Sequence, residues 1–185
     1  MTVATMLGSS LKAICRFCFM QQNVPALTFR LTNDTDAPYL QQWLSDPRIL
    51  RWFPMYDARE IEDAVRIWVG YSRIESGMTA LWNGEPCGMA NLYIQPYKKQ
   101  VHTCLFSIIV KEEMRGKGIG RGLMEHLMKH AKEKFKIEIL HLEVYDGNPA
   151  RHLYEKLGFQ EFGRQSRFIK EDGKYTAKVF MQKSL

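Results

Sequence analysis

One short stretch of the sequence combines glycine with positive charge, and these residue types suit the binding of an anion. Residues 114–122 hold four glycines and three basic residues. They follow an apolar run at 108–110 and precede a segment in which apolar residues recur every four positions, which predicts a link from a buried strand to a helix. Small residues at a helix N-terminus let several backbone N–H groups converge on one anion, and the helix dipole and nearby cations add attraction. The stretch therefore predicts a phosphate-binding loop.

Two common phosphate-binding patterns do not fit this loop. A P-loop needs a Ser or Thr after its Gly-Lys pair, and the stretch contains neither residue type. A dinucleotide-binding fingerprint needs a third glycine that is missing whether the count starts at Gly116 or at Gly118. The remaining pattern is Arg-x-x-Gly-x-Gly, which Arg115, Gly118 and Gly120 satisfy. The alternative is a flexible glycine turn on a basic surface.

The elements that must position this loop can be predicted from hydrophobic periodicity. Alternating residues predict a first strand at 27–31, and Asn83-Gly84 has the composition of a two-residue hairpin turn. Thr35 and Asp36 are predicted to cap a first helix, and the aromatic-rich residues 46–56 are predicted to form a loop. The segments at 103–144 form a β-α-β unit around the glycine-rich stretch. The predicted fold class is therefore α/β (α+β), built on one mixed sheet.

Composition limits the class of protein further. The 185 residues predict an N-terminal extension of unknown role at 1–26 and a single domain at 27–185. Hydrophobic residues make up 45% and charged residues 25%, which excludes a disordered chain. A net charge of +6 suits an anionic partner but does not distinguish a nucleic acid from a phosphorylated small molecule. No apolar run approaches the roughly 20 residues of a membrane span, so no membrane association is expected.

The cysteines and histidines do not predict a metal site. Four cysteines are too few and too scattered for a disulfide scaffold, and reduced thiols fit a cytoplasmic location. Cys15 and Cys18 form a C-x-x-C pair, but no second C-x-x-C pair occurs. His126 and His130 are one helical turn apart and lack an evident third ligand. We therefore expect no bound metal.

The glycine-rich loop resembles the acetyl-CoA pyrophosphate loop of the GNAT superfamily of N-acetyltransferases. This resemblance runs from residue 110 to residue 120, and a second family signature lies at 142–144, Asn148 and 150–159. The resemblance to this superfamily covers about residues 27–183. Its opening, with Trp43-Leu44-Ser45-Asp46-Pro47, is similar to the RimJ/RimL-type protein N-terminal acetyltransferases, and the chain resembles related ribosomal-protein and small-amine acetyltransferases. The resemblance implies a mixed, mostly antiparallel sheet of six to seven strands with a central β-α-β unit that binds acetyl-CoA.

The same resemblance implies which residues hold acetyl-CoA. The backbone N–H groups of residues 115–121 would bind the pyrophosphate, and the backbone of residues 108–110 would bind the pantetheine arm and polarise the thioester carbonyl. Asn148 belongs to the second signature, although it stands one residue nearer to Tyr154 than is usual in the family. The implied cofactor-binding residues are Ile108, Ile109, Val110, Arg115, Gly116, Lys117, Gly118, Ile119, Gly120, Arg121 and Asn148.

Two residues are the candidates for proton transfer in such a reaction. Tyr154 matches the general acid of the family, and its alternative role is that of a packed helix tyrosine. Glu143 is the first choice for the general base, because it lies in the Leu-Glu-Val match where related ribosomal-protein acetyltransferases carry a catalytic glutamate. Its alternative role is that of a carboxylate paired with a basic neighbour. His102, His141 or a water molecule are weaker candidates for the base.

The predicted function is acetyl-CoA-dependent transfer of an acetyl group to a primary amine, either a protein or peptide N-terminus or a small amine. The residues at 52–56 and 167–175 would wall the acceptor side or simply pack. One alternative is a catalytically silent CoA-binding module that regulates a partner. A basic nucleic-acid binder is disfavoured, because the sequence has no helix-turn-helix signal and no aromatic-interleaved basic strand. The expected oligomeric state is a monomer or a homodimer.

Overall fold

The computed structural model describes residues 26–185. All but the last residue of the predicted extension lie outside the described residues, as do Cys15 and Cys18. The described chain folds around a sheet of seven strands, in agreement with the predicted mixed α/β class. The strands are β1 (Leu27–Leu31), β2 (Gly77–Trp82), β3 (Glu85–Tyr93), β4 (Thr103–Val110), β5 (Ile139–Tyr145), β6 (Gln160–Glu171) and β7 (Lys174–Ser184).

Five α-helices in the described part of the chain accompany the sheet, and one of them is absent from the predictions. They are α1 (Ala37–Leu44), α2 (Pro47–Leu50), α3 (Ala58–Gly70), α4 (Ile119–Phe135) and α5 (Arg151–Lys156). The short α2 lies inside the predicted loop at 46–56 and begins at Pro47, with the Asp46 carboxylate accepting a hydrogen bond from the N–H of Arg48. Within residues 26–185, no helix is both long enough and apolar enough to cross a membrane.

The order of the strands creates one line of divergence in the sheet. The order is β1-β2-β3-β4-β5-β7-β6, and every neighbouring pair is antiparallel except β4 and β5. These two strands are parallel because α4 connects them as a crossover. Their pairing runs only from Thr103 opposite Ile139 to Leu105 opposite His141. Beyond Leu105 the two strands separate, and a wedge opens between them.

Helices cover both faces of the sheet and bury a core on each. On one face, α4 packs Leu123, Met124 and Leu127 against β-strand residues that include the free thiols of Cys87 and Cys104. Burial raises the pKa of these thiols to about 11 and about 12, respectively. On the other face, α1 and α3 form a second cluster with β3 and β4. The end of β4 departs from the sequence expectation of full burial, since residues 108 and 110 are only half-buried where the wedge opens.

The entry to α1 differs from the predicted cap. Asn33 caps a 3-10 turn at Asp34–Asp36 that precedes α1, and its side-chain oxygen accepts a hydrogen bond from the N–H of Thr35 at 2.9 Å. Asp36 occupies the cap position of α1, but the prediction of a side-chain cap there is wrong, because the Asp36 carboxylate is fully buried and forms a bidentate ion pair with Arg30 at 2.6 and 2.7 Å. Thr79 donates a further hydrogen bond to the same carboxylate. This network ties the first helix to the first two strands.

Candidate active site

A cavity of about 910 Å³ occupies the wedge between β4 and β5. Its walls come from the end of β4, the glycine-rich loop, the start of α4, the end of β5, α5 and part of α3. Every residue that the sequence assigned to cofactor binding or catalysis lines this cavity except Lys117. Residues that are far apart in the chain therefore meet in one site.

The glycine-rich loop leaves backbone N–H groups free at the start of α4. Gly116 and Gly118 have φ angles of +76° and +82°, a region that only glycine adopts easily. Gly118 is the residue before the helix, and it has no side chain with which to cap it. The helical hydrogen bonds begin at Gly122, whose N–H donates to the carbonyl of Gly118 at 3.0 Å. The N–H groups of residues 119–121 therefore precede the first helical bond and are available to an anion at the positive end of the helix dipole.

The last two glycines of the stretch serve packing. A methyl group on Gly120 would lie 3.2 Å from Leu153, so this glycine allows α4 and α5 to approach closely. A methyl group on Gly122 would lie 2.5 Å from the ring of Phe29, which leaves no room for any side chain. Gly122 does not line the cavity. Gly116 and Gly118 thus allow the conformation of the loop, whereas Gly120 and Gly122 allow α4 to pack closely against its neighbours.

The three basic residues of the loop do not all line the cavity. Arg115 and Arg121 line the cavity, and Arg115 also pairs with Glu112 at 2.7 Å. Lys117 lies outside the cavity lining, and its ammonium nitrogen is 5.5 Å from the centre of the Trp82 ring. The sequence assigned all three to one phosphate group. The structure brings only the two arginines to the cavity.

The open edge of β4 forms one wall of the wedge. On its other side β4 pairs with β3, with Ile108 opposite Ala90 and Val110 opposite Gly88. On the wedge side, its pairing with β5 has ended at Leu105. Backbone groups of residues 108–110 that face the wedge therefore have no strand beside them within the described chain. An extended ligand that carries amide groups can bind such an edge as an added strand.

Tyr154 enters the cavity from α5 and is almost fully buried. Its ring makes edge contacts with Phe106 and Phe159, with centroids 6.0 and 6.1 Å apart. Burial raises the pKa of Tyr154 well above its ordinary value of 10. The phenol therefore keeps its proton at neutral pH and can donate a hydrogen bond into the cavity.

Asn148 lines the cavity but also organises the turn before α5. Its side-chain oxygen accepts a hydrogen bond from the N–H of Ala150 at 2.9 Å, and its own N–H donates to the carbonyl of Tyr145 at 3.0 Å. Gly147 precedes it with a φ angle of +82°. These contacts accommodate a turn that is one residue shorter than the family pattern. The side-chain oxygen of Asn148 is committed to the turn.

Glu143 is paired with a lysine that sequence analysis missed. Its carboxylate lies 2.5 Å from the Lys178 ammonium, which comes from β7. Both side chains line the cavity. Lys178 is held further by the Phe168 ring, whose centroid lies 3.8 Å from its nitrogen, and only 13% of its side chain is exposed. Glu143 is therefore paired with a basic neighbour, as its alternative role required, and the pair lies in the cavity lining.

Tyr145 is a second residue that sequence analysis missed. It ends β5, and its side chain lies in the cavity lining. Within residues 26–185 its hydroxyl is buried and finds no hydrogen-bond partner. Burial and the nearby carboxylates of Glu143 and Glu171 raise the pKa of Tyr145 to about 12. A buried hydroxyl without a partner can bind a polar group that enters the cavity.

Of the five histidines, only His152 lines this cavity, and the other four lie outside its lining. His102 and His141 are outside the cavity lining, and burial lowers the pKa of His141. His126 stacks on Phe29 with ring centroids 4.0 Å apart, whereas the His130 ring lies 2.7 Å from the carbonyl oxygen of Glu75. Over residues 26–185 no group of three or more potential ligands is arranged to hold a metal ion.

Apolar side chains from two further segments line part of the cavity. Trp52, Phe53 and Met55 come from the segment after α2, and Ile67 and Trp68 come from α3. Tyr56 was predicted to join them, but it is outside the lining and 78% exposed. Glu143 is the one carboxylate among the lining residues, all of which lie in the described chain.

The combination of this sheet and this loop defines an acetyltransferase fold, and the sequence places the chain in a known family. The sequence model of the acetyltransferase (GNAT) family matches residues 30–159. The chain therefore belongs to the GNAT acetyltransferase family.

Curated relatives match shorter stretches of the chain. The ribosomal protein bS18-alanine N-acetyltransferase of Haemophilus influenzae is 40% identical over 70 residues, which cover 37% of this chain and 47% of that protein. An N-alpha-acetyltransferase of Sulfurisphaera tokodaii is 48% identical over 56 residues, which cover 30% of this chain and 34% of that protein. The chain thus spans about a third to a half of the length of these curated relatives.

Solved structures resemble the fold over most of the described chain. A ribosomal-protein-alanine N-acetyltransferase from Brucella melitensis has 26% sequence identity and a TM-score of 0.70, with 85% of this chain and 99% of that chain covered. A protein from Salmonella typhimurium, solved with its cofactor acetyl-CoA, has 19% identity and a TM-score of 0.73, with 86% of this chain and 94% of that chain covered. At that identity the second likeness concerns the fold.

Proposed function

We propose that the protein transfers an acetyl group from acetyl-CoA to a primary amine. The observation that carries this proposal is the single cavity in which an anion-binding helix start, an open strand edge and a buried tyrosine meet. A thioester cofactor with a pyrophosphate and two amide groups matches the first two features. Membership of the acetyltransferase family and the acetyl-CoA bound to a structural neighbour support the same ligand.

On the cofactor side of the reaction, the protein's role is to position acetyl-CoA. The N–H groups of residues 119–121 and the Arg115 guanidinium would bind the pyrophosphate. The free backbone edge of residues 108–110 would hold the pantetheine arm and place a donor at the thioester oxygen. Acetyl-CoA supplies an acyl group that is already activated. The protein's contribution at this end is therefore orientation more than chemical activation.

Two cavity residues, Tyr154 and Glu143, are assigned to the leaving group and to the acceptor amine, respectively. Tyr154 donates a hydrogen bond to the departing thiolate, a role that its protonated state at neutral pH supports. Glu143 accepts a proton from the acceptor amine, for which its carboxylate must exchange its contact with Lys178. This requirement makes the Lys178–Glu143 pair part of the acceptor site.

The acceptor is a primary amine on a peptide N-terminus or a small molecule. Ribosomal-protein-alanine and N-alpha-acetyltransferases among the relatives support the first class. A polyamine site would need several carboxylates, and a lining with one carboxylate favours a single ammonium group. The apolar wall formed by Trp52, Phe53 and Met55 would contact the body of that acceptor.

The test is an acetylation screen with mass-spectrometric detection over free amines, amino acids and peptide N-termini. Binding of acetyl-CoA is measured separately as a rise in melting temperature, which any ligand of the native state produces. We expect both a melting shift and acetyl transfer to a subset of monoamines or peptides. A melting shift without transfer to any acceptor would contradict the enzyme and favour a CoA-binding module. The absence of a shift would contradict the cofactor site itself.

A further inference from the structure

The cavity contains a primary amine that belongs to the protein itself. Lys178 lies on β7, lines the cavity and has only 13% of its side chain exposed. Its nitrogen is 2.5 Å from the carboxylate of Glu143 and lies over the ring of Phe168. An amine held on the carboxylate that serves as base is the arrangement expected of a bound acceptor.

Within the described residues, the other lysine in the cavity lining, Lys156, lacks the carboxylate partner that Lys178 has. Lys156 lines the same cavity from α5. Among the ion pairs of residues 26–185, one places a carboxylate beside Lys178 and none places a carboxylate beside Lys156. Lys178 therefore has both a proton acceptor and a fixed position, whereas Lys156 has neither. The fixed position matters because a tethered nucleophile acts at a high effective concentration.

We propose that Lys178 is itself an acetyl acceptor and that the protein acetylates its own side chain. This inference rests on the proposed acetyl-CoA-dependent function. The Glu143 carboxylate takes a proton from the ammonium, and the freed nitrogen lone pair attacks the thioester carbonyl carbon. A C–N bond forms and the C–S bond breaks. The second nitrogen proton passes to the departing thiolate, which gives N-acetyl-lysine and the CoA thiol, and the proton on Glu143 is released to water.

Self-acetylation would change the acceptor site. The acetylated nitrogen carries no positive charge, so the contact between Lys178 and Glu143 loses its ionic character. Glu143 then becomes available to the ammonium group of an external acceptor. The modification would thus release the Glu143 carboxylate from its ion pair with Lys178.

The experiment incubates the full-length protein with acetyl-CoA and no other acceptor, then maps the modified lysines by peptide mass spectrometry. We expect acetylation at Lys178 at least about tenfold faster than at Lys174, an exposed lysine of the same hairpin. The rate at Lys178 should not change with protein concentration, because the reaction is intramolecular. An equal rate at the two lysines, or a rate at Lys178 that rises with protein concentration, would overturn the proposal.

Three variants complete the design. Lys178→Arg keeps a cation beside Glu143 and should lose the modification, whereas Lys174→Arg should retain it. Glu143→Gln should slow acetylation of Lys178 by about tenfold to a hundredfold and leave the exposed lysines, which report uncatalysed chemistry, unchanged. Melting curves of each variant report whether it folds and still binds acetyl-CoA.

The result separates this inference from the proposed function. If external amines are acetylated and Lys178 is not, self-acetylation is wrong and the function stands. If Lys178 is acetylated at the expected rate and no external amine reacts, the inference stands without the broader function. If acetyl-CoA neither shifts the melting temperature nor modifies any acceptor, both are wrong.

Discussion

Tyr154 illustrates how burial defines the chemistry of a single residue. The aromatic contacts with Phe106 and Phe159 fix its ring, and burial keeps its phenol protonated. A group whose pKa exceeds that of a thiol does not transfer a proton to a thiolate readily, but it remains a strong hydrogen-bond donor. We therefore assign Tyr154 the stabilisation of the leaving group by hydrogen bonding.

Replacing Tyr154 by Phe tests this assignment. The variant retains the ring and its packing and removes only the hydroxyl. We expect kcat to fall by about tenfold to a hundredfold, with little change in the affinity for acetyl-CoA. Steady-state kinetics and a binding titration measure the two quantities. An unchanged kcat would remove the donor role.

The pH dependence of the reaction gives a second test at the residue scale. Because the pKa of Tyr154 is raised above 10, its phenol stays protonated, and its role as donor is retained, until the pH exceeds that value. We expect the pH profile of kcat to have the same shape in wild type and in Tyr154→Phe up to about pH 10. An alkaline decrease below pH 10 that disappears in the variant would show that the pKa is not raised.

The residues found only in the structure have a common cause. Tyr154 and Glu143 stand in sequence motifs, whereas Lys178 reaches Glu143 across 35 positions of the chain. That contact depends on the register of β5 and β7, which places Lys178 opposite Tyr145. Strand register between distant segments cannot be read from local patterns, so neither Lys178 nor Tyr145 could be predicted from the sequence.

At the scale of elements, local signals predicted the turns and the helix starts that depend on local chemistry. Asn83 and Gly84 have φ angles of +52° and +87°, as the hairpin prediction requires. Asp57 and Glu60 have the spacing of a capping box in the sequence, and Asp57 caps α3 by accepting a hydrogen bond from the N–H of Glu60. The prediction failed at Asp36, because its carboxylate is used by a tertiary ion pair with Arg30. A cap competes with distant partners that the local sequence does not reveal.

The glycine-rich loop is the element to which we assign cofactor binding. Gly118→Trp adds a bulky side chain at a residue with a positive φ angle in the cavity lining. Gly84→Trp is a matched control, since Gly84 also has a positive φ angle and open space around it but lies in the β2–β3 turn. We expect acetyl-CoA to raise the melting temperature of the control variant and not that of Gly118→Trp. A shift of the same size in both variants would show that the ligand binds elsewhere.

The buried ion pair at the start of α1 predicts a pH-dependent stability. Burial alone would raise the pKa of Asp36, but hydrogen bonds from Arg30, the N–H of Asn33 and Thr79 together lower it below its usual value. A carboxyl whose pKa is lowered by folding stabilises the folded state above its unfolded pKa of about 4, and this contribution is lost as the pH falls through its folded pKa.

Asp36→Asn measures that contribution. We expect the free energy of unfolding at pH 7 to decrease by about 2 kcal/mol, because hydrogen bonds to a charged group are lost. The difference between wild type and variant should become smaller as the pH falls from about 4, where the carboxyl of the unfolded chain takes up a proton, through the lower pKa of the folded protein. Urea denaturation at several pH values measures it. A difference that does not change with pH would mean that the charge of Asp36 does not stabilise the fold.

At the scale of the whole molecule, part of the positive charge behind the net charge of +6 lies at the cavity. Arg115, Arg121, Lys156 and Lys178 line the cavity together with one carboxylate, Glu143. Lys117 faces Trp82 and the remaining basic residues of α4 lie further along the helix. The composition favoured an anionic partner, and acetyl-CoA, the proposed ligand, is an anion. It could not predict the location, because that depends on how the chain folds.

The divergence of β4 and β5 has a mechanical consequence. Within residues 26–185, strand pairing between the half-sheet β1–β4 and the half-sheet β5–β7 is limited to three residue pairs, at residues 103–105 and 139–141. A ligand that occupies the wedge would bridge the two halves and make their fluctuations depend on each other. We therefore expect acetyl-CoA to slow amide hydrogen exchange in both β4 and β5, measured by mass spectrometry, with no comparable change in β1. Bound acetyl-CoA would then restrict the motion of the two half-sheets relative to each other, and the rigidity of the sheet would depend on the concentration of acetyl-CoA.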